Sequence, residues 1–374
     1  MRTLLLALAV LAFGAVRAEP PQPPQVAGAA FLLIDLTSGQ VLAERDADAS
    51  VEPASLAKLM SAYVVFAALR EGRLAPAQEV QVSERAWRAP GSRSFLEPGS
   101  RVSVETLVRG MVVQSGNDAC IALAEALAGS EEGFVERMNA EAARLGMTST
   151  RFTNATGLPD AGQRSSARDL AGLAVALIRD FPQEYGRYYA EREFEYNGIV
   201  QMNRNRLLWL DPSVDGVKTG FTEGAGYCLV ASASRGGRRL LSVLMGAESD
   251  GARARETQKL LNWGYQSFDG VRLYAPGEPV RSVAVWKGAV DAIEAGFDRG
   301  LVVTVPKGEA ANLTAELVTH PPVLAPVAKG DKVGVLRVAH EGRPIGEYPV
   351  VALSSVPRAG IVGRAWDTLR LWLQ

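Results

Sequence analysis

Three apolar runs follow one another between residues 214 and 248, VDGVKTG, AGYCLVASAS and RRLLSVLMGAE, and they restrict the fold more than any other feature of the chain. Arg235-Gly236-Gly237 joins the last two at hairpin length, so the three read as consecutive antiparallel strands. Near the other end of the same region, AAFLLIDLTSGQVLAERDA reads as a β-hairpin turning at Thr37-Ser38-Gly39. Between these clusters the period changes. Leu56, Leu59, Met60, Tyr63, Val64 and Ala67 keep helical spacing and predict a helix from Ser55 to about Glu71. Further helices are predicted near Val104–Val113, Asp118–Leu127, Ser166–Asp180 and Ala254–Phe268. Strands at both ends with helices between them predict an α+β domain over 27–268, an antiparallel sheet with helices on its faces.

From about Asp269 the texture differs. RSVAVWKGAV, GLVVTVPKG, LTAELVTH, KVGVLRVAH and YPVVALSS are short Val-rich runs between Gly and Pro turns, which predicts a small all-β domain over 269–357. It carries no constellation of reactive side chains, so a structural or partner-binding role is expected of it. Over 358–374, a helix drawn at about 100° per residue puts Ile361, Val362, Ala365, Trp366, Leu369, Trp372 and Leu373 on one face. An amphipathic helix lying in a membrane interface is expected there; the alternative is a helix docked on the protein itself. At the N-terminus, MRTLLLALAVLAFGAVRA has a basic residue, a short apolar run and small residues before Ala18, the pattern of a cleaved export signal over 1–18. Export would permit a disulfide between Cys120 and Cys228, although the burial habit of free cysteine favours two packed thiols.

A formal net charge of -1 argues against a nucleic-acid partner. His320 and His340 are the only histidines, so a Ser-His-Asp triad or a His-rich zinc site in the first domain is excluded, and no metal or cofactor is expected. Serine still needs a base. In PASLAKLM, Ser55 and Lys58 are three residues apart on one helix face, and a neutral Lys58 amine could take the hydroxyl proton. Lysine is scarce here, seven residues in all, which makes its place in a motif informative. Ser115-Gly116-Asn117 falls in a turn between two predicted helices, and Lys218-Thr219-Gly220 on a predicted strand, where Lys218 is a second cation able to depress the pKa of Lys58 and Gly220 allows close approach of a ligand to the backbone.

In order, S-x-x-K, S-x-N and K-T-G form the set found in penicillin-binding proteins and class A β-lactamases. With EPASLAKLM, QSGNDAC, FTNATGLPDAG, SSARDLA, NRNRLLW, VDGVKTG and AGYCLVASA, the chain from about Ala27 to its end resembles the low-molecular-mass penicillin-binding proteins of the D-alanyl-D-alanine carboxypeptidase type. The resemblance implies a serine β-lactamase-like domain with a helical cluster beside its sheet, then the all-β domain and the terminal anchor. It implies Ser55 as the acylated nucleophile, Lys58 as its base, and Ser115 and Asn117 as proton relay and holder of the substrate amide. Lys218, Thr219 and Gly220 would line the substrate, with the N–H of Phe221 joining that of Ser55 in an oxyanion hole. Phe221 stands where many relatives have His. For the substrate carboxylate the resemblance points to Arg253, with Arg255 as competitor and Arg204 as another arginine near the site. The implied activity is an exported carboxypeptidase that removes the terminal D-Ala of peptidoglycan pentapeptide stems and is acylated by β-lactams. Its implied place is the periplasm, peripherally on the outer face of the cytoplasmic membrane. Whether the chain pairs as a homodimer is left open. The segment from Phe152 to Asp180 contains no Glu, so a penicillin adduct is expected to be long-lived.

Overall fold

The computed structural model describes residues 21–319 and 322–360, together with residues 367 and 370. The predicted signal over 1–18 and most of the predicted terminal helix lie outside the described residues. Five strands, β1 (Ala30–Asp35), β2 (Gln40–Arg45), β3 (Val214–Thr222), β4 (Gly226–Arg235) and β5 (Arg238–Ala247), form one antiparallel sheet in the order β2-β1-β5-β4-β3. The hairpin and the three consecutive strands of the sequence reading thus meet edge to edge, through β1 and β5.

The central strands are apolar on both faces because both faces are covered. Leu32, Val230 and Val243 point into one core and Leu33, Leu229 and Leu240 into another, as alternation along a strand requires. Helix α3 (Ala167–Asp180) covers the first face, with α1 (Lys58–Arg70) and α2 (Asn117–Ala128) in the helical cluster beyond it. Helix α4 (Asp250–Ser267) covers the second.

Local boundaries depart from the sequence reading in three places. The predicted helix from Ser55 opens as a tight 3-10 turn, Ala54–Ala57, and becomes α-helical at Lys58. The predicted helix over Val104–Val113 is α-helical to Arg109 and then widens into a π-helical turn, Gly110–Gln114. Helix α4 begins at Asp250 rather than Ala254, because the Ser249 hydroxyl accepts the Ala252 N–H at 3.1 Å; Gly251 and the arginines hide this start from a hydrophobic pattern. A helix over Glu131–Arg144, capped by Ser130, has no counterpart in the sequence reading.

A second unit begins at Phe268 and is built of strands. It holds an antiparallel pair, Phe268–Tyr274 with Leu301–Pro306, and a six-stranded sheet around Val283, Val285, Ile293, Leu336, Val338 and Val350. The two units meet at the β1–β2 turn. Thr304 exchanges backbone hydrogen bonds with the Gln40 side chain, and its hydroxyl donates to the buried Asp35 carboxylate at 2.8 Å. Arg238 donates to the same carboxylate at 2.6 Å and to the Phe268 carbonyl, so one buried ion pair fastens the junction. Beyond the second unit, Asp367 accepts the Lys287 N–H and the Arg370 guanidinium lies over the Trp286 ring.

Cys120 and Cys228 are both free and buried, so they are packed thiols. Replacing Asp35 with Ala strands the Arg238 charge in the junction. Asp35→Ala is expected to cost about 3–5 kcal/mol, seen as a lower urea midpoint, whereas the exposed pair partner Glu347→Ala should cost under about 1 kcal/mol.

Candidate active site

The cleft opens where the 3-10 turn, the α2 N-terminus and strand β3 converge. Its volume is about 500 Å³, and Ser55, Ser115, Asn117, Arg204, Thr219 and Phe221 are among its walls. The nucleophile turn is held from two sides. Ala54 takes a left-handed backbone, φ 48°, and its carbonyl packs on Gly157 so closely that a Cβ there would sit 1.7 Å from the oxygen. On the other side, Gly220 of β3 meets Pro53 and Ala54, where a Cβ would lie 3.2 Å from both. Glycine at 157 and 220 therefore lets backbone reach backbone around Ser55.

Lys58 is buried at the first turn of α1, its Nζ donating to Ser55 Oγ at 3.2 Å and to the Thr156 carbonyl at 2.7 Å. That carbonyl is itself positioned. Asn154 Oδ1 accepts the N–H groups of Thr156, Gly157 and Leu158, fixing the turn that presents it. The segment FTNATGLPDAG was legible as a family segment, while the purpose of its Asn was not.

Ser115 lies where the widened π turn breaks before α2, with φ 67°, a strained conformation for a residue with a Cβ. Its hydroxyl is buried and has no hydrogen-bond partner among the described residues. Asn117 donates to the Pro90 carbonyl at 2.6 Å and leaves its Oδ1 without a partner among the same residues. Two unpaired buried groups facing one cleft are what a polar ligand would satisfy. Asp118, read from the sequence only as the start of a helix, holds this turn: its carboxylate accepts the N–H of Ser94, of Leu96 and of Ala119.

On β3, Lys218 is buried and donates to the Thr219 carbonyl at 3.0 Å, while Thr219, Gly220 and Phe221 border the cleft. The Phe221 ring is half-exposed and lies 4.3 Å from the Tyr227 ring. Arg253 on α4 reaches the cleft, donating to the carbonyls of Gly220 and Arg204 and to Asp250. Arg255 is exposed and outside the cleft walls, which removes it as the competitor. Arg204 is exposed at the cleft wall and forms no ion pair among the described residues.

Burial is the main force on both lysines. It pulls Lys58 down to about 8, with the Asp118 charge opposing and the Arg204 charge assisting. The Cys120 thiol beside it, pushed up to about 11 by burial, is uncharged in that range and offers no counter-charge. Lys218 is pushed well down by burial and then by Lys58, Arg204 and Arg253. The sequence reading gave Lys218 the task of lowering Lys58; the structure buries both lysines within range of each other's charge, and adds Arg204 as a further cation acting on both. The two are coupled, each charge making the other harder to hold.

The model of the D-alanyl-D-alanine carboxypeptidase family matches residues 17–249, and that of the penicillin-binding protein 5 C-terminal domain matches residues 268–358. The D-alanyl-D-alanine carboxypeptidase DacC of Escherichia coli K12 is 44% identical over 354 residues, covering 92% of this chain and 88% of that protein. DacA of the same strain is 41% identical, covering 94% of this chain and 89% of its own. Among solved structures, penicillin binding protein 5 from Haemophilus influenzae superposes with a TM-score of 0.85 at 38% identity, covering 90% of this chain and 99% of that one.

A base must be neutral to accept a proton, so a lysine at about 8 works better as pH rises through that value. Acylation of Ser55 by an activated acyl donor, followed by intact mass, is expected to accelerate from pH 6 and level off above about pH 8 to 9. Arg204→Ala removes a charge that lowers Lys58, and the rise should move to higher pH.

Proposed function

Because the chain belongs to the D-alanyl-D-alanine carboxypeptidase family of penicillin-binding proteins, we propose a division of labour within its cleft for removing the terminal D-Ala of a stem peptide. The protein is a serine-type D-Ala-D-Ala carboxypeptidase of cell-wall metabolism that binds β-lactams. Neutral Lys58 takes the Ser55 proton as Oγ attacks the carbonyl carbon of the penultimate D-Ala. The oxyanion is met by the N–H groups of Ser55 and Phe221. The Ser115 hydroxyl, buried in the cleft without another partner among the described residues, carries a proton to the departing D-Ala nitrogen as the C–N bond breaks. Asn117 holds the substrate amide through the Oδ1 that has no other partner. Thr219 and the Arg204–Arg253 pair receive the terminal carboxylate, Arg204 supplying a charge that no carboxylate among the described residues has taken.

Water then attacks the acyl-enzyme, and Lys58 again removes the proton. Glu131, buried behind the Thr156 turn, is occupied by the Ala155 N–H and by Arg85, so its carboxylate is committed to structure. With Lys58 alone for deacylation, a bulky β-lactam adduct persists. The observation that carries this reading is a buried lysine at about 8 with its Nζ 3.2 Å from a serine hydroxyl.

We also propose a place of action, from the sequence pattern near each end of the chain. The N-terminal pattern supports export to the periplasm, and the apolar face over 361–373 supports peripheral attachment to the outer face of the cytoplasmic membrane. No helix among the described residues is long and apolar enough to cross a membrane.

Ser55→Ala should cut D-Ala release from a pentapeptide by more than about 10³-fold and abolish the penicillin mass adduct; release that survives would refute the assignment of the nucleophile. Truncation after Gly360 keeps the bridge between Gly288 and Arg358 intact. In cell fractionation it should move the protein from the membrane pellet to the soluble fraction with turnover unchanged.

A further inference from the structure

The two N–H donors assigned to the oxyanion hole belong to different elements, Ser55 to the 3-10 turn and Phe221 to the end of β3. Their separation is a property of tertiary structure, and two contacts bracket it. One is the packing of Gly220 on Pro53 and Ala54, just before Phe221. The other follows immediately after it. Thr222 Oγ1 donates to Glu52 Oε2 at 2.9 Å, tying the residue after one donor to the residue three before the other.

The tie is fully specified. A hydroxyl has one proton, and here it goes to Glu52, while the oxygen accepts the Ala225 N–H at 2.9 Å and so orders the turn that closes β3. Gly224 lies against the same carboxylate, where an added Cβ would be 2.5 Å from Glu52 Oε1. Glu52 has no cation within ion-pair distance among the described residues, and it is not a wall of the cleft. A carboxylate near a developing oxyanion is unfavourable, so its presence needs another reason. Holding Thr222 supplies one.

We propose that Glu52 and Thr222 are positioning residues which set the distance between the two halves of the oxyanion hole. The proposal rests on the reading of Ser55 and Phe221 given above. A slack tie lets β3 drift from the nucleophile turn, which weakens stabilisation of the tetrahedral oxyanion more than binding of the planar substrate.

The test uses the full chain and counts active sites with labelled penicillin, so that misfolded protein is not scored as slow enzyme. Per labelled site, Thr222→Val should lower kcat for D-Ala release by about 10-fold or more with KM within about threefold, and Thr222→Ser should restore most of it. Glu52→Ala should match Thr222→Val, and the double variant should be no slower than either single one, since both remove one contact. A Thr222→Val enzyme within twofold of the parent, a loss carried by KM, or losses that multiply in the double variant would each overturn the proposal. Labelling of Ser55 in every variant keeps the outcome separate from the fate of the underlying mechanism.

Discussion

Two ammonium groups buried side by side are the constraint around which this cleft is arranged. Taking one lysine out of water is unfavourable, and taking a second beside it is worse. The fold does not neutralise them with a carboxylate. It gives Lys58 the Thr156 carbonyl and Lys218 the Thr219 carbonyl, dipoles that accept hydrogen bonds from either protonation state without restoring an ordinary pKa. Asp118 is close enough to be felt by Lys58, but its oxygens are occupied by backbone N–H groups. The result is a base whose neutral form becomes accessible only slightly above neutral pH, obtained by withholding a partner rather than by supplying one.

That arrangement explains the unusual backbone around the cleft. Ala54 and Ser115 both adopt left-handed conformations although neither is glycine, and a π turn precedes Ser115. Such conformations persist only where the surroundings over-determine them. Here Gly157 and Gly220 confine the first, and the Asp118 carboxylate, reaching across to Ser94 and Leu96, confines the second. The catalytic side chains therefore sit on three elements that are locked at the backbone.

Much of this was legible in the sequence because it is periodic or chemically rare. Strands β1, β4 and β5 announce themselves by continuous apolar character, and a lysine is conspicuous in a chain with seven of them. What escaped notice works through single polar atoms. Asn154 and Asp118 resemble ordinary turn and helix-start residues, and only the fold shows which N–H groups they gather. The start of α4 was hidden because a cap is one serine, and the choice between Arg253 and Arg255 turned on which face of that helix meets the sheet. The part Arg204 plays beside the two lysines was hidden for a similar reason: it is distant from both motifs in sequence and beside them in space.

The paired rings of Phe221 and Tyr227 give one edge of the cleft a character of its own. Where an imidazole would exchange protons with a bound carboxylate, a phenyl ring has none to exchange. Contact along that edge is therefore made by excluding water from apolar surface, with a negative heat-capacity change as its mark. A phenyl ring adds no proton-transfer heat to binding, which leaves proton uptake to the lysines.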